Sequence, residues 1–375
     1  MRDFGVLPPR VDDFEAECKK PLRLNSGAFW RREGGTFASK YQQGLIARRG
    51  AMSEIIVENT DTTNPTVHLT DLSPRDKKWD YHRGNTAVIG KHYDANPRFE
   101  RLGERMAGCT TWLGFAELVN QDTGEIGLKL RRACFCGVRN CDTCMWRRNL
   151  RNTAKFFAAI PELQAQFPKH RWVFLTLTVR NCEPENLRAT IKSMNAAWKR
   201  LIERKNWPAE GYVKAVEVTR GEDGSAHPHF HVLVMVKPSY FTHGYVKHEE
   251  WAARWQDVMR LDYTPVVDVR VVKAKKAGQT IEAAVVETLK YATKVQDSLK
   301  SPEWLYVITE QLHKLRFIET GGALKGLLKE KFTNDELIAG DEPAESADDE
   351  KPEEKLVGVS WNAKTKRYVR TKTAA

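Results

Sequence analysis

No apolar run in this 375-residue chain approaches the roughly 20 residues needed to cross a bilayer. The opening stretch, Met1 to Arg10, lacks the basic-then-apolar pattern of a secretory signal, so the expected setting is cytoplasmic and free of membrane. No Gly-rich loop ending in Lys-Ser/Thr is present, which excludes a nucleotide-driven motor of that type. No internal repeat is evident. The seven cysteines, at positions 18, 109, 134, 136, 141, 144 and 182, are odd in number and do not form a secreted disulfide framework.

The chain is long enough for one large or two modest domains. Its net charge of +11 is unevenly spread. Between Asp335 and Glu354 ten acidic residues meet one lysine, a local −9 that leaves +20 on the rest of the chain. A body that basic suits a polyanion, because each Lys or Arg set against a phosphate releases condensed counterions. A solvated basic surface is the bland alternative.

Residues 1–95 carry weak periodicity and many turn formers, as in Glu58-Asn-Thr-Asp-Thr-Thr-Asn-Pro65, and read as a variable, partly disordered leader. Residues 96–170 hold a cysteine cluster followed by a helix over Trp146 to Phe157. From 171 onward the pattern sharpens. Strands are expected at Trp172–Val179, Tyr212–Thr219, Phe230–Val236 and Val266–Val272, with helices at Glu185–Glu203, Glu249–Arg260 and Ile281–Val295. That order is β-α-β-β-α-β plus a helix. It predicts an α+β fold whose antiparallel sheet has helices on one face and is open on the other. A helical extension at 301–334, an acidic linker at 335–355 and a basic tail at 356–375 complete the expected organisation. The tail reads equally as a phosphate-contacting appendage or a frayed terminus.

His227-Pro-His-Phe-His231 opens the third of these strands. Side chains alternate on a strand, so His229 and His231 share a face about 7 Å apart while Phe230 and Val232 face the core. Lone strand histidines are usually satisfied polar residues; a pair at i and i+2 beside an apolar run points to a shared cation. Val216 and Val218 bracket Glu217, which places this carboxylate on the histidine face and offers a third ligand, with His227 as its competitor. Mixed imidazole and carboxylate ligation suits Mg²⁺ or Mn²⁺ with open positions for phosphate oxygens.

On the helix expected at 281–295, Glu287, Tyr291 and Lys294 fall at i, i+4 and i+7 and share one stripe. A phenol near pKa 10 is a poor nucleophile unless a cation favours its phenolate, which Lys294 or a metal would supply. Glu287 is placed to act as a general base. Upstream, Cys134-x-Cys136-x4-Cys141-x2-Cys144 has the spacing of a structural zinc knuckle.

Together these residues resemble the HUH endonucleases, and among them the rolling-circle replication initiators of small bacterial plasmids in the branch with one tyrosine and a glutamate. Phe174-Leu-Thr-Leu-Thr178 matches the first family motif, and the resemblance implies that Thr176 and Thr178 meet DNA. His227 to His231 matches the second, and Tyr291 with Lys294 the third; Glu287 marks the branch. The match covers roughly residues 96–330, including Phe135-Cys136, Cys141, Cys144 and the basic pair Arg147-Arg148, expected to meet DNA. The resemblance implies Zn²⁺ on Cys109, Cys136, Cys141 and Cys144, whereas a purely local set takes Cys134 for Cys109. It further implies nicking of one origin strand by Tyr291, a 5′-phosphotyrosyl intermediate, a free 3′-OH primer, and termination helped by Glu287. Plasmid origin DNA and a host helicase are the implied partners; the oligomeric state is left open. An HUH transposase or a mobilisation relaxase would share the histidines. The first often carries paired tyrosines and the second places its tyrosine ahead of the histidines, unlike Tyr291. A non-catalytic zinc-containing nucleic-acid-binding protein is the remaining alternative.

Overall fold

A computed structural model of the chain describes residues 66–119, 124, 126–272, 280–290, 293–329, 331–341 and 356–371. Among the described residues three helices come first: α1 (Leu69–Leu72), α2 (Lys77–Asp94) and α3 (Glu100–Ala107). The hairpin β1 (Trp112–Val119) and β2 (Ile126–Ala133) follows, then the long helix α4 (Asp142–Gln166). Next come β3 (Arg171–Thr178), α5 (Leu187–Ile202), β4 (Ala209–Arg220), β5 (Ala226–Val236), α6 (His248–Met259) and β6 (Val267–Val271). The C-terminal part holds α7 (Ile281–Thr288), α8 (Val295–Lys300), α9 (Pro302–Gln311), β7 (Ile318–Gly322), α10 (Asn334–Ala339), β8 (Leu356–Asn362) and β9 (Arg367–Arg370). No described helix is long and apolar enough to cross a membrane.

The strands form two antiparallel sheets, ordered β6-β3-β5-β4-β7 and β2-β1-β8-β9. In the larger sheet β5 is central, and alternation sorts its side chains between two cores. Val173, Leu175, Leu177, Val216, Val218, Phe230, Val232 and Val234 meet Ile191, Met194 and Trp198 of α5 and Trp251 and Trp255 of α6. The register opposes Glu217 to His229, Ala215 and Thr176 to His231, and Thr178 to His229.

The expected open face is covered. Phe174, Val213 and Leu233 on that side pack with Phe156 of α4, Ala284 and Val285 of α7, Leu289, Leu324 and Leu328. The reason lies in the strands themselves: β4 and β5 are apolar on both faces for much of their length, and a sheet with one solvated face would alternate with polar residues instead. The polar residues His229, His231 and Glu217 lie at one end of this face and are buried as well.

Three further expectations change. Residues 69–94, read as part of a loose leader, are helical; α2 buries Trp79, His82, Arg83, Thr86, Ile89 and Tyr93 along one stripe. Polar residues occupy half of that stripe, which hides it from an apolar count. The tail forms β8, paired with β1, and β9, paired with β8, with Val357, Val359 and Tyr368 buried. The acidic segment begins as α10, whose start is a reciprocal cap between Thr333 and Glu336.

Two candidate metal centres

Ile89 and Tyr93 of α2, Met106 of α3 and Leu305 of α9 pack around the first cluster. Cys109 follows α3, Cys136 follows β2, and Cys141 and Cys144 open α4 at its N-cap and first turn. All four are buried, and their sulfurs lie within 4.8 Å of one another. Cys109 Sγ stands 3.6 Å from Cys141 Sγ and 3.7 Å from Cys144 Sγ, and Cys136 Sγ is 3.7 Å from Cys144 Sγ. These separations are far too long for disulfides, whose S–S bond is about 2.05 Å. They fit a tetrahedron around one ion, since zinc–sulfur bonds of about 2.3 Å set sulfur neighbours about 3.8 Å apart. The Cys136 amide points at Cys109 Sγ, 3.5 Å away, and the N-terminal end of α4 adds positive potential for thiolates. Cys134 is not part of the cluster.

The second centre is built on the β4–β5 hairpin. The chain reverses at Gly221–Ser225, where Gly221 N donates to Ser225 O and Gly224 adopts φ +86°, a conformation that favours glycine. This register sets Glu217 beside the histidines. Glu217 Oε2 lies 3.3 Å from His229 Nε2 and 2.7 Å from His231 Nε2, and all three residues are buried. The other ring nitrogens are also engaged: His229 Nδ1 faces the His227 carbonyl at 3.3 Å and His231 Nδ1 faces Thr176 Oγ1 at 3.4 Å. Such outer partners orient an imidazole so that Nε2 can serve as a ligand. Burial lowers the His231 pKa below its usual value despite the hydrogen bond to Glu217, which favours the neutral, ligating form. Burial alone would raise the Glu217 carboxyl; the two imidazoles and the Lys290 charge outweigh it and hold the group well below the usual carboxylate range.

Both groups are therefore compatible with metal binding. A family profile described as "Replication protein" spans residues 127–369, which takes in most of the cysteine cluster and the whole Glu-His-His centre. The chain belongs to this replication-protein family. It is 32% identical over 332 residues to "Protein rep" of Bacillus amyloliquefaciens, covering 80% of this chain and 96% of that one. "Protein rep" of Lactiplantibacillus plantarum is 36% identical over 294 residues, covering 74% and 90% of the two chains. "Replication protein" of Staphylococcus aureus is 36% identical over 223 residues, 56% of this chain and 94% of that one. No solved structure matches.

Several expected residues sit elsewhere. His227 turns to Asn181, its Nδ1 2.7 Å from Asn181 Oδ1, and is outside the Glu217 cluster. Thr178 Oγ1 donates to the Val266 carbonyl at 2.8 Å. Arg147 is buried: Nε and Nη2 donate to the Leu337 and Ile338 carbonyls at the end of α10, and the guanidinium lies over the Trp79 and Trp146 rings. It is not at a surface that DNA can reach. Arg148, half-buried, donates to the Gly137 carbonyl.

Tyr291 lies outside the described residues. Its neighbours in sequence do not continue the expected helix, because α7 ends at Thr288 and Lys294 is the N-cap of α8 with extended backbone. Thr288 Oγ1 donates to the Ala284 carbonyl, which weakens a helix end, and Thr293 forms a parallel bridge with Val218 of β4. Pairing with the sheet replaces helix propagation there. Glu287 and Lys294 thus do not share one helical stripe. The lysine that reaches the centre is Lys290, with Nζ 3.2 Å from Glu217 Oε2 and 2.7 Å from Glu287 Oε1. Its partner Glu217 lies 73 positions earlier in the chain, a pairing that no local pattern shows.

Proposed function

We propose that this protein initiates rolling-circle replication of a plasmid by nicking one strand of the origin, with an HUH-type centre made by His229, His231 and Glu217 and with Tyr291 as nucleophile. The observation that carries the reading is the convergence of these three ligands on the strand pair whose β4 also meets both sequence flanks of Tyr291, through Lys290 to Glu217 and Thr293 to Val218. Family membership supports the replication role.

A Mg²⁺ or Mn²⁺ ion held there would supply Lewis-acid polarisation of the scissile phosphate. The protein's residues do the rest. The Tyr291 hydroxyl attacks phosphorus, the Tyr–O–P bond forms and the bond to the 3′ oxygen breaks, leaving a 5′-phosphotyrosyl ester and a free 3′-OH. At termination Glu287 takes a proton from water as it attacks that ester, the Tyr–O–P bond breaks, and the proton passes on to the Tyr291 oxygen, which leaves as phenol. Thr176 and the His227 carbonyl keep the two imidazoles oriented. The Cys109, Cys136, Cys141 and Cys144 cluster is read as a structural Zn²⁺ site that ties α2, α3 and α4 to the smaller sheet. Origin DNA is the substrate, and a separate helicase is the expected partner.

The test uses supercoiled plasmid carrying the cognate origin, with Mn²⁺. Wild-type protein should yield open circles and a covalent protein–DNA adduct; Tyr291→Phe and chelator-treated protein should yield neither. Equal nicking by the Phe variant would end the reading.

A further inference from the structure

Three cations or donors crowd one oxygen. Glu217 Oε2 receives His231 Nε2 at 2.7 Å, Lys290 Nζ at 3.2 Å and His229 Nε2 at 3.3 Å. The Glu217 side chain is 6% exposed, so its charge is held in a poorly solvated place and needs a compensating positive group. Lys290 provides it. An ammonium has no lone pair with which to ligate a metal, and its charge repels a divalent ion brought to the same carboxylate oxygen. The lysine also has a second resting point, Glu287 Oε1 at 2.7 Å, and its side chain is 37% exposed, so it can leave Glu217 without leaving the centre.

We propose that Lys290 is an internal cation that competes with the divalent metal for Glu217: the metal displaces its ammonium from Oε2, and the ammonium, still anchored by Glu287, then stands free beside the incoming phosphate. Metal binding thereby converts a lysine held by a ligand into a positive group for the DNA backbone. The inference rests on the reading of His229, His231 and Glu217 as a metal centre. It assigns Lys290 a positioning role that Lys294 does not fill.

The experiment is a titration of the full-length, zinc-containing protein with Mn²⁺ alone, without DNA, followed by the paramagnetic relaxation of water protons. Lys290→Met and Lys290→Gln should bind Mn²⁺ about fivefold more tightly than wild type, the change expected when one partly exposed ion pair no longer has to be broken. Lys290→Arg, which keeps the competing charge, should bind as wild type does. A lysine with a merely structural role predicts the opposite sign, because its loss would loosen the ligands. Unchanged or weaker Mn²⁺ binding by both neutral variants overturns the proposal while leaving the metal centre standing. If wild-type protein binds no Mn²⁺, the metal reading and this inference fall together.

Discussion

His231 Nε2 and Glu217 Oε2 meet at 2.7 Å across the β4–β5 pair, fourteen residues apart in sequence. The contact exists because the tight turn at Gly221–Ser225 keeps the two strands in a single register from Arg220 opposite Ala226 to Gly211 opposite Met235. Glu217→Ala should therefore weaken Mn²⁺ binding by at least about tenfold, since losing even an outer partner of a ligand costs that much. His227→Ala should leave Mn²⁺ affinity near that of wild type, because His227 faces Asn181. Calorimetric titration of both variants decides between the two candidate ligands.

The cysteine cluster makes a separate prediction about composition and stability. Purified protein should hold one zinc per chain by elemental analysis, and Cys109→Ser should lose it, whereas Cys134→Ser should keep it. Stripping the metal with a strong chelator should lower the unfolding midpoint by more than about 10 °C, because ligand binding and folding share one free energy.

Arg147 sits in the motif expected to meet DNA but is spent on protein carbonyls. Arg147→Ala should cost about 2–4 kcal/mol of stability through two lost charge-assisted bonds. The salt dependence of DNA binding should stay unchanged, since a phosphate contact would add nearly one unit to its slope. A shallower slope with unchanged stability would reverse the assignment.

Lys214 of β4 is buried, and Nζ pairs with Glu319 Oε2 of β7 at 2.8 Å and with Asn195 Oδ1 at 2.6 Å. Burial would raise the Glu319 carboxyl, but Lys214 and Tyr212 outweigh it and hold it below the usual carboxylate range. A carboxyl depressed in the folded state adds stability that is present above its unfolded pKa and is lost as pH falls through the folded value. Glu319→Gln should thus destabilise the protein by on the order of 3 kcal/mol at pH 7, by leaving a buried lysine unpaired. The gap between variant and wild type should narrow below about pH 4 in denaturant titrations.

Period-2 alternation was enough to put His229 and His231 on one face and Glu217 beside them, because each was bracketed by apolar residues that could only face the core. The cysteine spacing was readable for Cys136, Cys141 and Cys144, but taken alone it favoured Cys134 over Cys109, which lies 27 residues before Cys136 and joins through the fold. Other features depend on contacts that no local pattern contains. The helix after Ile281 stops because Thr293 finds Val218, 75 positions earlier. Arg147 is buried because α10 brings its carbonyl end from almost 200 residues away. The tail is a pair of strands because β1 offers an edge. Lys290 was passed over because its partner Glu217 is identified only once the helix is known to end.

Tyr291 is the residue expected to take the DNA. After nicking a supercoiled origin plasmid with Mn²⁺, the protein should be digested with trypsin and nuclease and the nucleotide-bearing peptide sequenced by mass spectrometry. A single adduct is expected, a 5′-nucleotide esterified to the hydroxyl of Tyr291. An adduct on any other residue, or efficient nicking with no adduct at all, would contradict it.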